Sequence, residues 1–83
     1  MSYSIDVDPL AEQQIAALPQ SALSPLADAV TALELVPWNG LPLNRTNPDG
    51  AVRQLPFGGL GMITYLVLED QRRVDLLMVT WAG

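Results

Sequence analysis

Arginine is the main residue type in this 83-residue sequence whose side chain could bind a negatively charged group. Arginine occurs at positions 45, 53, 72 and 73, whereas lysine, histidine and cysteine are absent. Without histidine the chain lacks the commonest general base near neutral pH and the commonest metal ligand. Without cysteine it lacks disulfides and thiolate metal ligands, so we expect neither a metal nor another cofactor. The four arginines are candidates for binding an anionic group, because a guanidinium carries a permanent positive charge and five hydrogen-bond donors.

The overall charge limits the partners of such arginines. Nine acidic residues outnumber the four arginines, and the net charge is −5. This balance disfavours extensive binding of nucleic acid, whose affinity comes mostly from neutralised phosphates. A basic partner, or plain solubility, agrees better with the charge.

Each arginine has a functional and a structural interpretation. Arg53, in a predicted strand, either contacts a phosphate or lies on the solvent face of an edge strand, where its charge discourages edge pairing. Arg45 lies in a loop and either binds a partner or is solvated or locally salt-bridged. Arg72 and Arg73 share a turn with two acidic residues, a mixture typical of solvated turns that could also form a contact site.

The aromatic residues also allow two interpretations. Tyr65, in an apolar strand, is expected to be a core or half-buried residue whose hydroxyl has one hydrogen-bond partner, and the alternative is stacking on RNA. Trp38 and Trp81 are expected to pack the loop and the end of the sheet. Alternatively, an exposed Trp81 could anchor a partner segment.

The elements that position these residues are clearest in the C-terminal part. Two turn signals, at 58–59 and 69–72, divide residues 52–81 into three apolar runs, which predicts an antiparallel three-stranded meander. Residues 60–68 are almost wholly apolar, so we expect a central strand with both faces covered. In the last strand, simple alternation separates Val74, Leu76 and Met78 from Asp75, Leu77, Val79 and Trp81.

The N-terminal part predicts a strand and two helices. Residues 2–7 alternate with the period of a half-buried strand. Asp8 is expected to cap a helix that begins at Pro9 and is closed by Pro19. A second helix, capped by Ser21 or Ser24 and terminated by Pro37, carries an apolar stripe of Leu23, Leu26, Val30 and Leu33.

Residues 37–50 show no periodicity and predict a long ordered loop that ends in the turn Asn47-Pro48-Asp49-Gly50. The predicted architecture is an α+β fold of order β-α-α-β-β-β, with a helical hairpin packed on a small, mainly antiparallel sheet. The first strand must pair at an edge of that sheet to satisfy its backbone. We expect residues 1–83 to form one domain with an adequate core. The start of the chain shows no signal peptide or membrane span, so a cytoplasmic location is expected.

The order and spacing of these motifs resemble the RelE/ParE family of toxins from bacterial type II toxin–antitoxin pairs. The resemblance covers nearly the whole chain and is carried by Tyr3-Ser4-Ile5, Asp8-Pro9, Ala17-Leu18-Pro19, the helix end Leu33-Glu34-Leu35-Val36-Pro37, the strand Val52-Arg53-Gln54-Leu55, the hairpin from Gly58 to Tyr65 and the last strand from Val74 to Trp81. It implies the β-α-α-β-β-β fold and a cognate antitoxin that lays an extended or helical segment on the toxin. The implied target is the ribosome with its mRNA, which some members cleave, or DNA gyrase.

The resemblance also implies roles for individual residues. Arg53 stands where family members carry an arginine and would be the catalytic charge stabiliser, together with Tyr65. Apart from the resemblance, the candidate contacts with substrate or partner are Arg45, Arg72, Arg73 and Trp81. Three departures leave the activity open. The nucleases' second arginine is replaced by Met62, and neither their C-terminal proton-transfer residue nor their basic surface has a counterpart. The alternative is a non-catalytic, acidic protein-interaction module on the same scaffold.

Overall fold

The computed structural model describes residues 2–83 as two helices, a five-stranded sheet and short 3-10 turns. The elements are, in chain order, β1 (Ser4–Val7), α1 (Pro9–Ala16), α2 (Leu23–Leu35), β2 (Leu41–Pro42), β3 (Val52–Phe57), β4 (Gly61–Leu68) and β5 (Arg73–Trp81). The predicted α+β fold and the order β-α-α-β-β-β are confirmed. The structure adds β2, a two-residue strand inside the predicted loop.

The sheet has the strand order β1-β5-β4-β3-β2. β2, β3, β4 and β5 pair antiparallel, whereas β1 pairs parallel with β5 at the far edge. The predicted meander and the edge position of the first strand are therefore confirmed. Gly58 and Gly59 both have positive φ, at 62° and 78°, which explains why glycine occupies the turn between β3 and β4.

The helices cover one face of the sheet. Along β4, buried residues alternate with half-exposed ones, so the prediction that both of its faces are covered is wrong. The core on the covered face consists of Tyr3, Ala11, Ala22, Leu26, Ala29, Leu33, Phe57, Ile63, Tyr65, Val67, Val74, Leu76 and Val79. In α2 the predicted stripe is partly right, because Leu26 and Leu33 are buried while Leu23 is exposed.

The other side of the sheet, which we call the open face, carries the residues between the buried ones. It presents half-exposed or exposed side chains from β3, β4 and β5, among them Val52, Met62, Thr64, Leu66, Leu68 and Met78. Within residues 2–83, neither helix is long and apolar enough to cross a membrane.

Both helices begin without the predicted side-chain caps. Asp8 precedes α1, but its carboxylate makes no capping hydrogen bond. Its backbone N–H instead donates to the Leu76 carbonyl at 2.9 Å, so Asp8 continues the sheet. α2 begins after Ala22, at the end of a 3-10 turn that already has helical hydrogen bonds, and neither Ser21 nor Ser24 caps it. Pro9 at the first position of α1 is confirmed.

A bulge in β5 changes which of its residues face the core. Thr64 lies opposite Met78 while Tyr65 lies opposite Leu76, so Leu77 is an extra residue in β5. Val79 consequently joins Val74 and Leu76 on the covered face. The simple alternation predicted for this strand is therefore wrong after Leu76.

Candidate functional site

Arg53 lies inside the protein, with only 8% of its surface exposed. Its Nε and Nη2 groups donate to the Gly40 carbonyl at 3.1 and 2.8 Å. Its Nη1 donates to the carbonyls of Pro48 and Gly50, both at 3.1 Å. The interpretation of Arg53 as a solvent-facing arginine of an edge strand is therefore wrong. The guanidinium instead joins the start and the end of the loop from Gly40 to Gly50.

Tyr65 lies opposite Arg53 in the β3–β4 pair and is fully buried. Its hydroxyl donates to the Pro37 carbonyl at 2.6 Å, which confirms a core tyrosine with one hydrogen-bond partner. Burial raises the pKa of this phenol, and the positive charge of Arg53 opposes that effect. The structure thus brings together the two residues predicted to be catalytic, but both direct their donors at loop carbonyls.

Arg45 lies on the outside of the same loop. The loop is ordered by Asn44, whose Oδ1 accepts hydrogen bonds from the backbone N–H and hydroxyl of Thr46 at 3.0 and 2.7 Å. The predicted turn at its end is present, since the Gly50 N–H donates to the Asn47 carbonyl at 3.0 Å. Arg45 itself is exposed and has no hydrogen bond or ion pair within residues 2–83.

A second group of polar side chains, which we call the Glu69 cluster, consists of Tyr3, Trp38, Glu69 and Arg72. The Tyr3 hydroxyl and the Trp38 indole N–H donate to Glu69 Oε1 at 2.6 and 2.7 Å. Arg72 Nη1 donates to Glu69 Oε2 at 2.9 Å, and its guanidinium carbon lies 4.1 Å from the centre of the Tyr3 ring. Of the two interpretations of this turn, simple solvation is wrong, because Glu69 and Arg72 contact Tyr3 and Glu69 contacts Trp38 at the start of the long loop.

These donors change the acidity of the cluster. The hydrogen bonds from Trp38, Tyr3 and Arg72, in that order, lower the pKa of Glu69 to about 2. The hydrogen bond between Tyr3 and Glu69 also raises the pKa of Tyr3. The sequence offered no signal for the cluster, because Tyr3 and Trp38 are 66 and 31 residues away from Glu69.

We expect Glu69→Gln to lower the melting temperature at pH 7, with a deficit that shrinks in acid. A carboxyl whose pKa is lower in the folded state stabilises that state above its unfolded pKa of about 4.5. This stabilisation is lost as the pH falls from about 4.5 through about 2. Thermal unfolding of both proteins between pH 7 and pH 2 measures the effect. A melting-temperature difference that stays constant over this range would contradict it, and Asp70→Asn is the matched control in the same turn.

The remaining predicted partner contacts lie at the two ends of β5. Arg73 Nε is 2.8 Å from Asp75 Oδ1, and this pairing raises the pKa of the guanidinium. Trp81, at the opposite end, is half-buried and packs on Phe57 with the ring centres 5.5 Å apart. The side chains predicted to contact a partner therefore do not lie on one surface. Within residues 2–83, no group of three or more acidic side chains could hold a metal ion.

The fold described above is that of the RelE toxins. The protein superposes on one chain of the toxin–antitoxin complex RelBE2 from Mycobacterium tuberculosis with a TM-score of 0.82 and 20% identity, over 98% of this chain and 99% of that one. A mutant of the E. coli toxin RelE in the free state matches with a TM-score of 0.78 and 20% identity, over 100% of this chain and 86% of that one. A chain of the archaeal RelE–RelB complex from Pyrococcus horikoshii matches with a TM-score of 0.66 and 15% identity, over 100% of this chain and 98% of that one. No protein-family model and no curated protein matches the sequence. The predicted RelE/ParE-like architecture is thus confirmed at the level of the fold.

Proposed function

We propose that this chain is the toxin component of a type II toxin–antitoxin pair and that a cognate antitoxin neutralises it. The observation that carries this proposal is the match of the fold to RelE toxins over essentially the full length of both chains. Several of those structures are complexes with an antitoxin, and an E. coli RelE mutant is seen with a peptide of its antitoxin. The toxin would act in the cytoplasm, on translation through ribosome-dependent mRNA cleavage or on DNA gyrase.

The side chains of the open face are consistent with binding of a protein partner. Its half-exposed apolar side chains include Met62, Leu66 and Leu68 of β4, together with the exposed Met78 of β5. Asp75 and Arg73 of β5 lie beside Leu66 and Leu68 on this face. Partly exposed apolar side chains bordered by charged ones are typical of sites that bind other proteins. A neutralising segment could cover part of it.

A second candidate function is a non-catalytic, acidic interaction module on the same scaffold. It is favoured by the geometry of Arg53 and Tyr65, whose donors are bonded to backbone carbonyls of Gly40, Pro48, Gly50 and Pro37. For Arg53 to stabilise charge on a substrate, its guanidinium would have to leave at least one of these carbonyls. The net charge of −5 favours the same candidate, because it disfavours binding of RNA.

Induced expression of this chain alone in a bacterial host, with pulse-labelling of protein and DNA synthesis, tests the proposal. We expect growth arrest that is relieved by co-expression of a cognate antitoxin, which is to be sought as a small open reading frame beside the gene. Early loss of protein synthesis would identify the ribosome as the target, and early loss of DNA synthesis would identify gyrase. Normal growth at verified soluble expression would overturn the toxin function and favour the interaction module. Induction of the same gene with an early stop codon controls for the effects of induction itself.

A further inference from the structure

We propose that one surface of the long loop binds a partner segment in which a carboxylate stands between aliphatic side chains. This surface, which we call the Arg45 surface, consists of Leu41, Pro42, Leu43, Arg45 and Gln54, and it forms a groove of about 420 Å³. The inference rests on the proposed function and deepens it, because it names the chemistry of the segment by which the antitoxin would bind.

The first argument concerns charge. Three of the four arginines are already engaged: Arg53 with loop carbonyls, Arg72 with Glu69, and Arg73 with Asp75. Arg45 has no such contact within the described part of the chain. A guanidinium offers five donors in a planar fork that matches a carboxylate, so the free cation of this surface favours an acidic group.

The second argument concerns the apolar surroundings of that cation. Leu41 and Leu43 are 59% and 52% exposed, although this loop is well ordered by hydrogen bonds. Two leucines beside one arginine form the mixture of apolar anchors and a single orienting charge that binding sites commonly use. Aliphatic side chains on both sides of the partner's carboxylate would cover them.

The third argument is preorganisation. Arg53 fixes the two ends of the loop with four hydrogen bonds, and the side chain of Asn44 fixes the turn beside Arg45. The Leu43 N–H also donates to the Val52 carbonyl at 3.1 Å. The surface is therefore formed before a partner arrives, and binding does not have to order it.

A protein segment fits this surface better than RNA does. No aromatic side chain lines the groove, so unpaired bases would have nothing to stack on. The chain as a whole repels a phosphate backbone, since acidic residues outnumber arginines by nine to four. A short segment with one carboxylate makes use of Arg45 without bringing further negative charge close to the rest of the chain.

Selection from a display library of random 12-residue peptides tests the inference in vitro. We expect wild-type protein to enrich peptides with Asp or Glu flanked by Leu, Ile or Val. The Arg45→Gln variant should lose the acidic preference, whereas Arg73→Gln should keep it. For the best peptide, a synthetic twin with Gln in place of the acidic residue should bind wild type about tenfold more weakly and Arg45→Gln no more weakly. Leu43→Ser should weaken both peptides, unlike its matched control Leu10→Ser on α1.

Three results would overturn the inference: no enrichment, enriched peptides without an acidic residue, or the same peptides selected by Arg45→Gln. Tighter binding of a 12-nucleotide single-stranded RNA than of the best peptide, lost in Arg45→Gln, would assign the surface to nucleic acid instead. Because the selection uses purified protein, its failure is distinct from the absence of growth arrest, which would count against the toxin function alone.

Discussion

Replacement of Arg53 by methionine is expected to lower the free energy of unfolding by about 3 kcal/mol. Methionine retains most of the apolar volume but leaves the carbonyls of Gly40, Pro48 and Gly50 without their donor. The bonds to the Gly40 carbonyl are buried and those to Pro48 and Gly50 are partly buried. A buried acceptor that loses its donor lowers stability by more than the net contribution of the hydrogen bond, because it stays desolvated. Urea unfolding, followed by the fluorescence of the two tryptophans, measures the change.

Two further variants make the expectation specific. Arg53→Lys should recover only a small part of the loss, because an ammonium cannot reach carbonyls at both ends of the loop as the guanidinium fork does. Arg45→Gln removes a charge from the same loop at an exposed position and should change stability by less than about 0.5 kcal/mol. An Arg53→Met protein as stable as wild type would contradict the assignment of Arg53 to the loop.

This expectation also governs how a catalytic role for Arg53 can be tested. An Arg53→Ala variant that loses toxicity would implicate the residue in chemistry only if its folding stability and loop structure are preserved. Hydrogen exchange of the amides between Gly40 and Gly50 would report the state of the loop. Loss of protection there, together with loss of toxicity, would indicate that Arg53 acts by holding the loop.

Gly40→Ala is expected to destabilise the fold by about 2–3 kcal/mol, as overpacking in a core does. Gly40 has an ordinary backbone conformation, with φ −68° and ψ 167°, so alanine is not excluded by its dihedral angles. The added methyl would, however, overlap the hydroxyl oxygen of Tyr65 and lie 2.8 Å from the Gln54 carbonyl oxygen. The steric cost therefore exceeds the small gain that alanine usually brings by restricting the unfolded chain.

A double-mutant cycle with Tyr65→Phe separates this overlap from other effects of the methyl group. Phenylalanine at position 65 lacks the hydroxyl that overlaps the methyl group added at position 40. The ring carbon Cζ, which carries that hydroxyl in Tyr65, still lies 2.9 Å from the methyl position. Tyr65→Phe alone should cost about 1 kcal/mol, through loss of the hydrogen bond to Pro37. In the Tyr65→Phe background, Gly40→Ala should cost at least about 1 kcal/mol less than in wild type. Strict additivity would show that the contact with Tyr65 does not determine the effect.

The strands and helices were predictable because their signals are local. The alternation of Ser4–Val7 and the paired glycines at 58 and 59 each act over a few residues, and the structure follows them. β2 was missed because it has two residues, one of them proline, and depends on pairing with Arg53 and Gln54 of β3. The bulge at Leu77 was missed because it is a mismatch between two strands, which the sequence of either strand does not reveal.

The candidate site was less predictable than the fold, for a related reason. Arg53 was singled out by its place in the family pattern, but its partners are carbonyls of a loop without periodicity. Backbone carbonyls occur at every residue, so the sequence could not show which of them this guanidinium would reach. The role of Gly40 was equally hidden, because it depends on the position of Tyr65, which is 25 residues further along the chain.

The parallel pairing of β1 with β5 has a consequence for the synthesis of the protein. Ser4 pairs with Arg73, so β1 can join the sheet only after β5 has emerged from the ribosome. Both helices are complete by Leu35, about 40 residues earlier. At ordinary elongation rates, this leaves the nascent helical hairpin without its sheet for roughly 2 to 8 seconds. The sheet is therefore completed late in synthesis, once β5 has emerged, and until then the apolar sides of the helices are available to chaperones.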